Sequence, residues 1–396
     1  MNLQKLDFKI IKIWHRISLS IQTCIYLYNM QFLEFYFLND TRSVLNTNNY
    51  LFIEYIRTSI MKVQAFAATK SGSKLKSFEY ELGSLKPDEV DIDVEYCGIC
   101  YSDLHMLKNE WGITKYPFVP GHEIVGKISA VGKMVTHLKI GQRVGVGWRS
   151  RSCQTCEQCL SGYHNRCLTG EDVIVGRHGG FGNKIRCQAL WAFPLPRNLD
   201  IKTAGPLFCG GITVFNPIVQ NGIKATDHVA VVGIGGLGHM ALLFLNAWGC
   251  EVTAFSTNPK KEKEARKFGA HHFINSNNPD NLNALANKFK MILVTANVDL
   301  DWDAYINTLT PGGKLHIVGA VPQIKATMSP LISHERSIGA SPTGGPVVIL
   351  SMLEFCARHK IEPLVEEYPL SKVNEALEHL SAGKARYRIV LRNDLT

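Results

Sequence analysis

Cys153, Cys156, Cys159 and Cys167 stand in one loop-like stretch with two, two and seven residues between them. Four thiolates at this spacing can converge on one tetrahedral Zn2+, and such a closed four-sulfur site is structural because it leaves no position for substrate. Short Cys-x-x-Cys spacing in a chain of this size favours metal over a disulfide framework. A closed zinc site does no chemistry, so any reaction must be sought around it.

Three separated residues have the donor types of an open metal site. Cys100 lies in Cys97-Gly-Ile-Cys100-Tyr101-Ser102-Asp103-Leu-His105, His122 in Pro120-Gly-His122-Glu123, and Cys209 in Pro206-Leu-Phe-Cys209-Gly-Gly-Ile-Thr213. Two thiolates and an imidazole leave the fourth tetrahedral position to water or a carbonyl oxygen, the arrangement of a zinc acting as a Lewis acid. Singly, each would be an ordinary buried cysteine or loop histidine. Together, and beside the four-cysteine loop, they point to a second zinc.

A dinucleotide signal follows. After the apolar run His228-Val-Ala-Val-Val232 comes Gly233-Ile-Gly235-Gly236-Leu237-Gly238, opening a helical pattern. Strand, glycine turn and helix in this order let a pyrophosphate approach the helix N-terminus closely. Where an NAD enzyme carries an acid at the end of the second strand, this chain reads Phe255-Ser256-Thr257-Asn258-Pro259-Lys260-Lys261. An acid there would repel a 2'-phosphate, whereas hydroxyls and a cation bind it. NADP(H) is therefore expected over NAD(H). The expected contacts are Gly233, Gly235, Gly236, Leu237 and Gly238, then Ser256, Thr257 and Lys261, with Thr213 added. Lys260 could substitute for Lys261.

These residues need elements to hold them. From Met61 to about 208, short apolar runs alternate with Gly/Pro punctuation, suiting a mostly β domain with long functional loops. From 209 to 345 the rhythm is strand, helix, strand, helix: 229–232, 237–248, 252–255 and 260–268, the pattern of βαβ units and a doubly wound parallel sheet. The last stretch, 346–396, carries helical patterns near 347–359 and 372–380 and a closing strand at 388–391, and is expected to return to the first domain. The fold class is thus α/β, with 61–208 plus 346–396 as one domain and 209–345 as the cofactor domain.

Residues 1–60 differ from the rest. They hold no Gly, Pro or Ala, whereas all 33 Gly and 16 Pro of the chain lie beyond Ile60. Their apolar positions keep neither helical nor strand period. They are expected to lie outside the fold, as translated non-coding sequence ahead of a start at Met61 rather than an appended segment. Asp7, Glu34, Asp40 and Glu54 argue against an organellar presequence, and there is no unbroken apolar core for a signal peptide.

Hydrophobic content of 45% and charged content of 19% fit a globular protein. No stretch approaches the roughly 20 apolar residues of a membrane span. Of the eleven cysteines, Cys24, Cys97, Cys187, Cys250 and Cys356 fall outside the two zinc sets. So scattered a remainder suggests free thiols in a reducing cytoplasm. The net charge of +9 lacks the Lys/Arg runs of a nucleic-acid tail.

From Met61 onward the chain resembles the zinc-dependent medium-chain alcohol dehydrogenases, most closely the NADP-dependent cinnamyl alcohol dehydrogenases and bacterial aldehyde reductases. The resemblance is carried by Tyr96-Cys-Gly-Ile-Cys100, Asn109-Glu-Trp-Gly, Pro120-Gly-His-Glu-Ile-Val-Gly, Cys209-Gly-Gly-Ile-Thr-Val-Phe215 and Gly383-Lys-Ala-Arg-Tyr-Arg388. It implies a GroES-like catalytic domain beside a Rossmann domain. It implies catalytic zinc on Cys100, His122 and Cys209, with Glu123 beside the metal, and structural zinc on Cys153, Cys156, Cys159 and Cys167. Asp103 would orient His122, and Ser102 with His105 would relay a proton. Cys97 resembles a family cysteine that is not a ligand. One departure is Tyr101, where close relatives usually carry histidine, and weaker or pH-shifted cofactor binding is expected from it.

The reading is a cytoplasmic NADPH-dependent zinc alcohol dehydrogenase working as an aldehyde reductase, a homodimer or a tetramer, with a small aldehyde or alcohol substrate and neither nucleic-acid nor membrane partner. An NAD-linked primary alcohol dehydrogenase is the alternative within enzymes, and a zinc-containing nucleic-acid-binding protein the alternative outside them. Trp111, Tyr116 and Trp148 are candidates for the pocket wall. Whether the substrate is aliphatic or aromatic stays open.

Overall fold

The computed structural model describes residues 61–395; the segment 1–60, expected to stand apart from the fold, lies outside the described residues. Strands β1 (Lys62–Ala67) and β2 (Lys76–Glu81) form an antiparallel pair. Next come β3 (Glu89–Ile99), helix α1 (Tyr101–Leu107), β4 (Glu123–Val131), β5 (Arg143–Val146), β6 (Arg149–Arg151), β7 (Glu171–Asp172), β8 (Lys184–Gln188) and β9 (Phe193–Pro194). Helix α2 (Gly210–Gln220) leads to β10 (His228–Val232), α3 (Gly238–Trp248), β11 (Glu251–Ser256), β12 (His272–Asn275), β13 (Phe289–Val294), β14 (Leu309–Ile317) and β15 (Ser337–Ala340). The chain closes with α4 (Pro346–His359), β16 (Val365–Pro369), α5 (Val373–Ser381) and β17 (Arg388–Arg392).

Two sheets organise these elements. The first runs β16-β17-β3-β4-β5-β9, with β8 also paired to β3, so the last residues of the chain do return to the first sheet. Its centre is the long β3, whose buried Val90, Ile92, Ile99 and neighbours pack against Phe118, Phe181 and Ile124. The second sheet has the order β12-β11-β10-β13-β14-β15, and its pairings are parallel. Val229, Ala230, Val231 and Val232 of β10 are all buried. A continuous apolar run is what a parallel strand covered on both faces requires. The strand order reverses between β10 and β13, which opens a crevice at their carboxyl ends, where such sheets bind ligands.

The expected helix at 260–268 is a 3-10 turn at Pro259–Lys261 followed by an α-helix at Glu262–Lys267. Asn258 explains the break, because its side chain accepts from the Lys260 N–H and starts the turn there. Helix α4 packs with Ile349, Met352, Leu353 and Cys356 into the cluster that holds Phe215 of α2 and Met240 and Phe244 of α3. Among the described residues no helix is long and apolar enough to cross a membrane.

Candidate functional site

Cys100 directly follows β3 and caps α1. Its backbone N–H donates to Asp103 Oδ2 at 2.9 Å, so the cap holds the thiol at the start of the helix. His122 follows Gly121, whose φ of 101° is readily adopted only by glycine and turns the chain out of Pro120 into β4. A side chain at Gly121 would also press on Phe181 and on the Cys97 sulfur, 2.6 and 2.9 Å from its Cβ. Cys209 stands immediately before α2.

Folding brings the three together. Cys209 Sγ lies 3.9 Å from Cys100 Sγ and 3.2 Å from His122 Nε2. Donor atoms of Cys100, His122, Glu123 and Cys209 all fall within 4.8 Å of one another. On the other side of the imidazole, Asp103 Oδ1 is 3.1 Å from His122 Nδ1 and also accepts the Gly121 N–H at 2.8 Å. Asp103 and His122 are fully buried. Each carboxylate oxygen of Asp103 therefore has a fixed partner, and the ring has one orientation.

The electrostatics call for a cation. The hydrogen bond with Cys209 holds the Cys100 thiol well below its ordinary range against the opposing effect of burial. The same bond, with burial, drives Cys209 well above its own range. Two thiolates cannot both ionise here unaided. Burial, partly offset by Arg388, lifts Glu123 to about 7. Glu123 is ion-paired with Arg388, yet its Oε2 is buried without a hydrogen-bond partner. Buried sulfur and imidazole donors around an unsatisfied oxygen fit a divalent zinc ion.

The second cluster has the same logic with four sulfurs. Cys153, Cys156, Cys159 and Cys167 place their Sγ atoms within 4.8 Å of one another. Cys153 Sγ accepts the Cys156 N–H at 3.3 Å, and Cys167 Sγ accepts the Cys153 N–H at 3.4 Å. Backbone hydrogen bonds from Thr155 and then Cys156 lower the Cys153 thiol to about 5. The lobe is closed at its base by β6 pairing with β7 and by Arg151, which bonds Asp88 and Glu89. Cys97, by contrast, points its sulfur to the Gly98 carbonyl and belongs to neither cluster.

A cleft of about 620 Å³ opens beside the first cluster, lined by Cys100, Ser102, His105, Cys209 and Thr213 on one side and by Gly235, Gly236 and Leu237 on the other. At the glycine turn, Gly233 has φ 91°, and a side chain on Gly238 would run into the Gly233 carbonyl. A Cβ at Gly235 would meet nothing, so that backbone faces open space, as a pyrophosphate cradle requires. At the end of β11, Ser256 Oγ accepts the Asn258 N–H at 3.2 Å. Lys261 folds back so that its ammonium donates to the Ile234 carbonyl of the turn. Ser256, Thr257 and Lys261 are outside the cleft lining itself.

Trp111 and Trp148 line the cleft, their rings edge-to-face at 6.1 Å, and Trp148 lies edge-to-face with His122 at 4.9 Å. Tyr116 does not reach it: its hydroxyl donates to the Leu107 carbonyl. Tyr101 borders the cleft, and its hydroxyl donates to the Leu380 carbonyl at 3.1 Å. His105 stacks on Trp111 at 5.4 Å, meets Glu110 through Nδ1, and buries Nε2 without a partner. Sequence reasoning missed Glu110 and Arg388 as site groups, and Thr295, Asn297 and Val318 as lining. The last three lie just past the ends of β13 and β14, where the strand reversal would have directed attention.

Residues 86–197 match the alcohol dehydrogenase GroES-like domain, and residues 236–358 match the zinc-binding dehydrogenase domain. The chain belongs to the zinc-dependent medium-chain alcohol dehydrogenases, in the branch of cinnamyl alcohol dehydrogenases and aldehyde reductases. It is 50% identical to the aldehyde reductase AdhA of Synechocystis over 83% of this chain and 98% of that one. Among solved structures it is similar to a cinnamyl alcohol dehydrogenase of Sorghum bicolor (TM-score 0.80, 32% identity, 84% of this chain and 98% of that one). A cinnamyl alcohol dehydrogenase of Helicobacter pylori complexed with NADP(H) superposes with TM-score 0.77 at 30% identity, over 84% and 98% of the two chains.

The Asp103 contacts lead to a direct test. Asp103→Asn removes the charge that faces His122 Nδ1 while keeping the volume, and zinc affinity at the first cluster is expected to fall by about 10- to 100-fold. Competition with a chromogenic chelator measures it; unchanged affinity would mean that Asp103 only caps α1.

Proposed function

We propose that this chain is an NADPH-dependent aldehyde reductase, with Cys100, His122 and Cys209 holding a catalytic zinc, Glu123 adjacent to it, and Cys153, Cys156, Cys159 and Cys167 holding a structural one. The observation that carries the reading is that the buried two-thiol, one-imidazole donor set and the Gly233–Gly238 turn open on the same cleft. When bound, zinc supplies Lewis acidity toward a carbonyl oxygen and NADPH supplies a hydride.

The chain's own residues would do the rest. Ser102, in the first turn of α1 and on the cleft wall, donates a proton to the product oxygen. His105 is the next station: Glu110 fixes Nδ1, so the unpartnered Nε2 is the atom left to exchange a proton within the cleft. Asp103 holds His122. Trp111 and Trp148 give the aldehyde an apolar wall, which suits a substrate with a hydrocarbon body. Gly233, Gly235, Gly236, Leu237, Gly238 and Thr213 would seat the cofactor, and Ser256, Thr257 and Lys261 its 2'-phosphate. Supporting this, Lys261 is half-buried and tied to the turn rather than free in solvent.

The domain division at 61–208 with 346–396, and 209–345, belongs to the same reading, as do a cytoplasmic location and a homodimer, with a tetramer as the alternative. The described cysteines are all free, as a reducing compartment allows.

Turnover of an aldehyde panel with NADPH and NADH at equal concentration tests the cofactor. A clear NADPH preference is expected, and Lys261→Glu is expected to raise KM for NADPH about 10- to 100-fold, the worth of a charge-assisted hydrogen bond, with little change for NADH. Preference for NADH in the wild type would overturn the assignment of Ser256, Thr257 and Lys261.

A further inference from the structure

At the opposite end of the parallel sheet from the cleft, His228, Glu251 and His272 are the first residues of β10, β11 and β12. His228 is the direct register partner of Glu251, and His272 is the partner of Thr253, two residues further along β11. Side chains two apart on a strand share a face. All three therefore project from one face of the sheet. Their donor atoms fall within 4.8 Å of one another. Glu251 Oε1 is 2.6 Å from His272 Nε2 and 3.3 Å from His228 Nε2. Five residues of β10 put this cluster roughly 16 Å from the glycine turn.

We propose that His228, Glu251 and His272 form a third metal site, one that takes a divalent ion of the imidazole-preferring transition class, such as Zn2+. An ion pair alone does not account for the arrangement. His228 Nε2 is buried and has no hydrogen-bond partner, although it stands beside the carboxylate. A buried nitrogen left unsatisfied is uncommon, and a cation between the two rings and the carboxylate satisfies all three. Two imidazoles and a carboxylate select Zn2+, Ni2+ or Cu2+ over Mg2+ and Ca2+, which prefer oxygen-only shells. The exposed half of the site, with Glu251 and His272 both reaching solvent, leaves water to complete the coordination.

The surroundings are consistent with a modest site. Lys288 and His271 lie close enough to oppose a cation, and Glu251 supplies the compensating charge. Phe289 packs edge-on to His228 at 5.4 Å and fixes that ring. Metal entry would replace the direct contact between His272 and Glu251. The ion then ties the starts of three neighbouring strands, a structural rather than a catalytic role.

The test compares the zinc-loaded protein with its His228→Ala/His272→Gln double variant, each equilibrated against buffered free Zn2+. The wild type is expected to hold one more zinc equivalent than the variant, with at least hundredfold weaker uptake of that equivalent in the variant and a higher unfolding midpoint in added Zn2+ for the wild type alone. Glu251→Gln keeps the hydrogen-bonding shape and is expected to weaken uptake about tenfold, so the proposal does not depend on one variant folding. Equal zinc content in wild type and variants would establish an ion pair only and overturn the site. Because the comparison is a difference at the far end of the sheet, aldehyde reduction should be unchanged in every variant, whichever way the zinc count falls.

Discussion

Cys100→Ser is expected to remove one zinc equivalent and to lower kcat/KM by about a thousandfold or more. The Lewis acidity of a bound zinc contributes several kcal/mol of transition-state stabilisation, and about 4 kcal/mol corresponds to three powers of ten. The fold should survive the change. The Cys100 backbone N–H donates to Asp103 whatever the side chain, and a serine oxygen can accept the Asp103 N–H in the capping box in place of the sulfur. Cys97→Ser is the internal control: its sulfur points to the Gly98 carbonyl and belongs to neither donor cluster, so zinc content should hold. Zinc analysis and aldehyde reduction on the two variants decide the matter. If Cys97→Ser loses the ion and Cys100→Ser keeps it, the ligand assignment is wrong.

Cys153→Ser should act on stability rather than on chemistry. Structural zinc sites in small peptides contribute apparent binding free energies of about 10–16 kcal/mol, comparable to the whole net stability of a typical domain. If about 4 kcal/mol of this reaches the global equilibrium, the unfolding midpoint falls by roughly 10 °C. The loss should begin locally. Leu160, between Cys159 and Cys167, and Leu168, just after Cys167, are 76% and 99% exposed and offer a protease an entry once the metal is gone. Thermal unfolding and limited proteolysis are the measurements, with cleavage expected within 153–170. The Cys153→Ser protein should keep its other zinc and retain most of its activity while folded. An unaltered midpoint would show that β6, β7 and the Arg151 contacts hold the lobe without metal.

Much of this site is legible in the sequence because its parts are locally encoded. The four-cysteine lobe needs only a short loop, so spacing alone implies it. The glycine turn is flanked by its own strand and helix, and the absence of an acid at Ser256 is a property of one position. The apolar run at 229–232 and the strand-helix rhythm after it state the parallel sheet for the same reason: periodicity and burial are linked residue by residue.

The residues that make the site reactive are encoded differently. Cys100 and Cys209 are 109 positions apart, and nothing in the text between them fixes their sulfurs at 3.9 Å. Cys97 and Cys100 look like one pair in sequence, and only the end of β3 decides that one sulfur faces the backbone and the other the cluster. Arg388 meets Glu123 because β17 pairs with β3, whose other edge carries β4. Tyr116 and Trp111 could not be ranked as wall residues until their directions were known. Local sequence sets which donors, turn and phosphate-tolerant strand end are available. The tertiary structure decided which of them share one buried volume, because convergence across distant strands is a property of sheet pairing and packing that no local pattern carries.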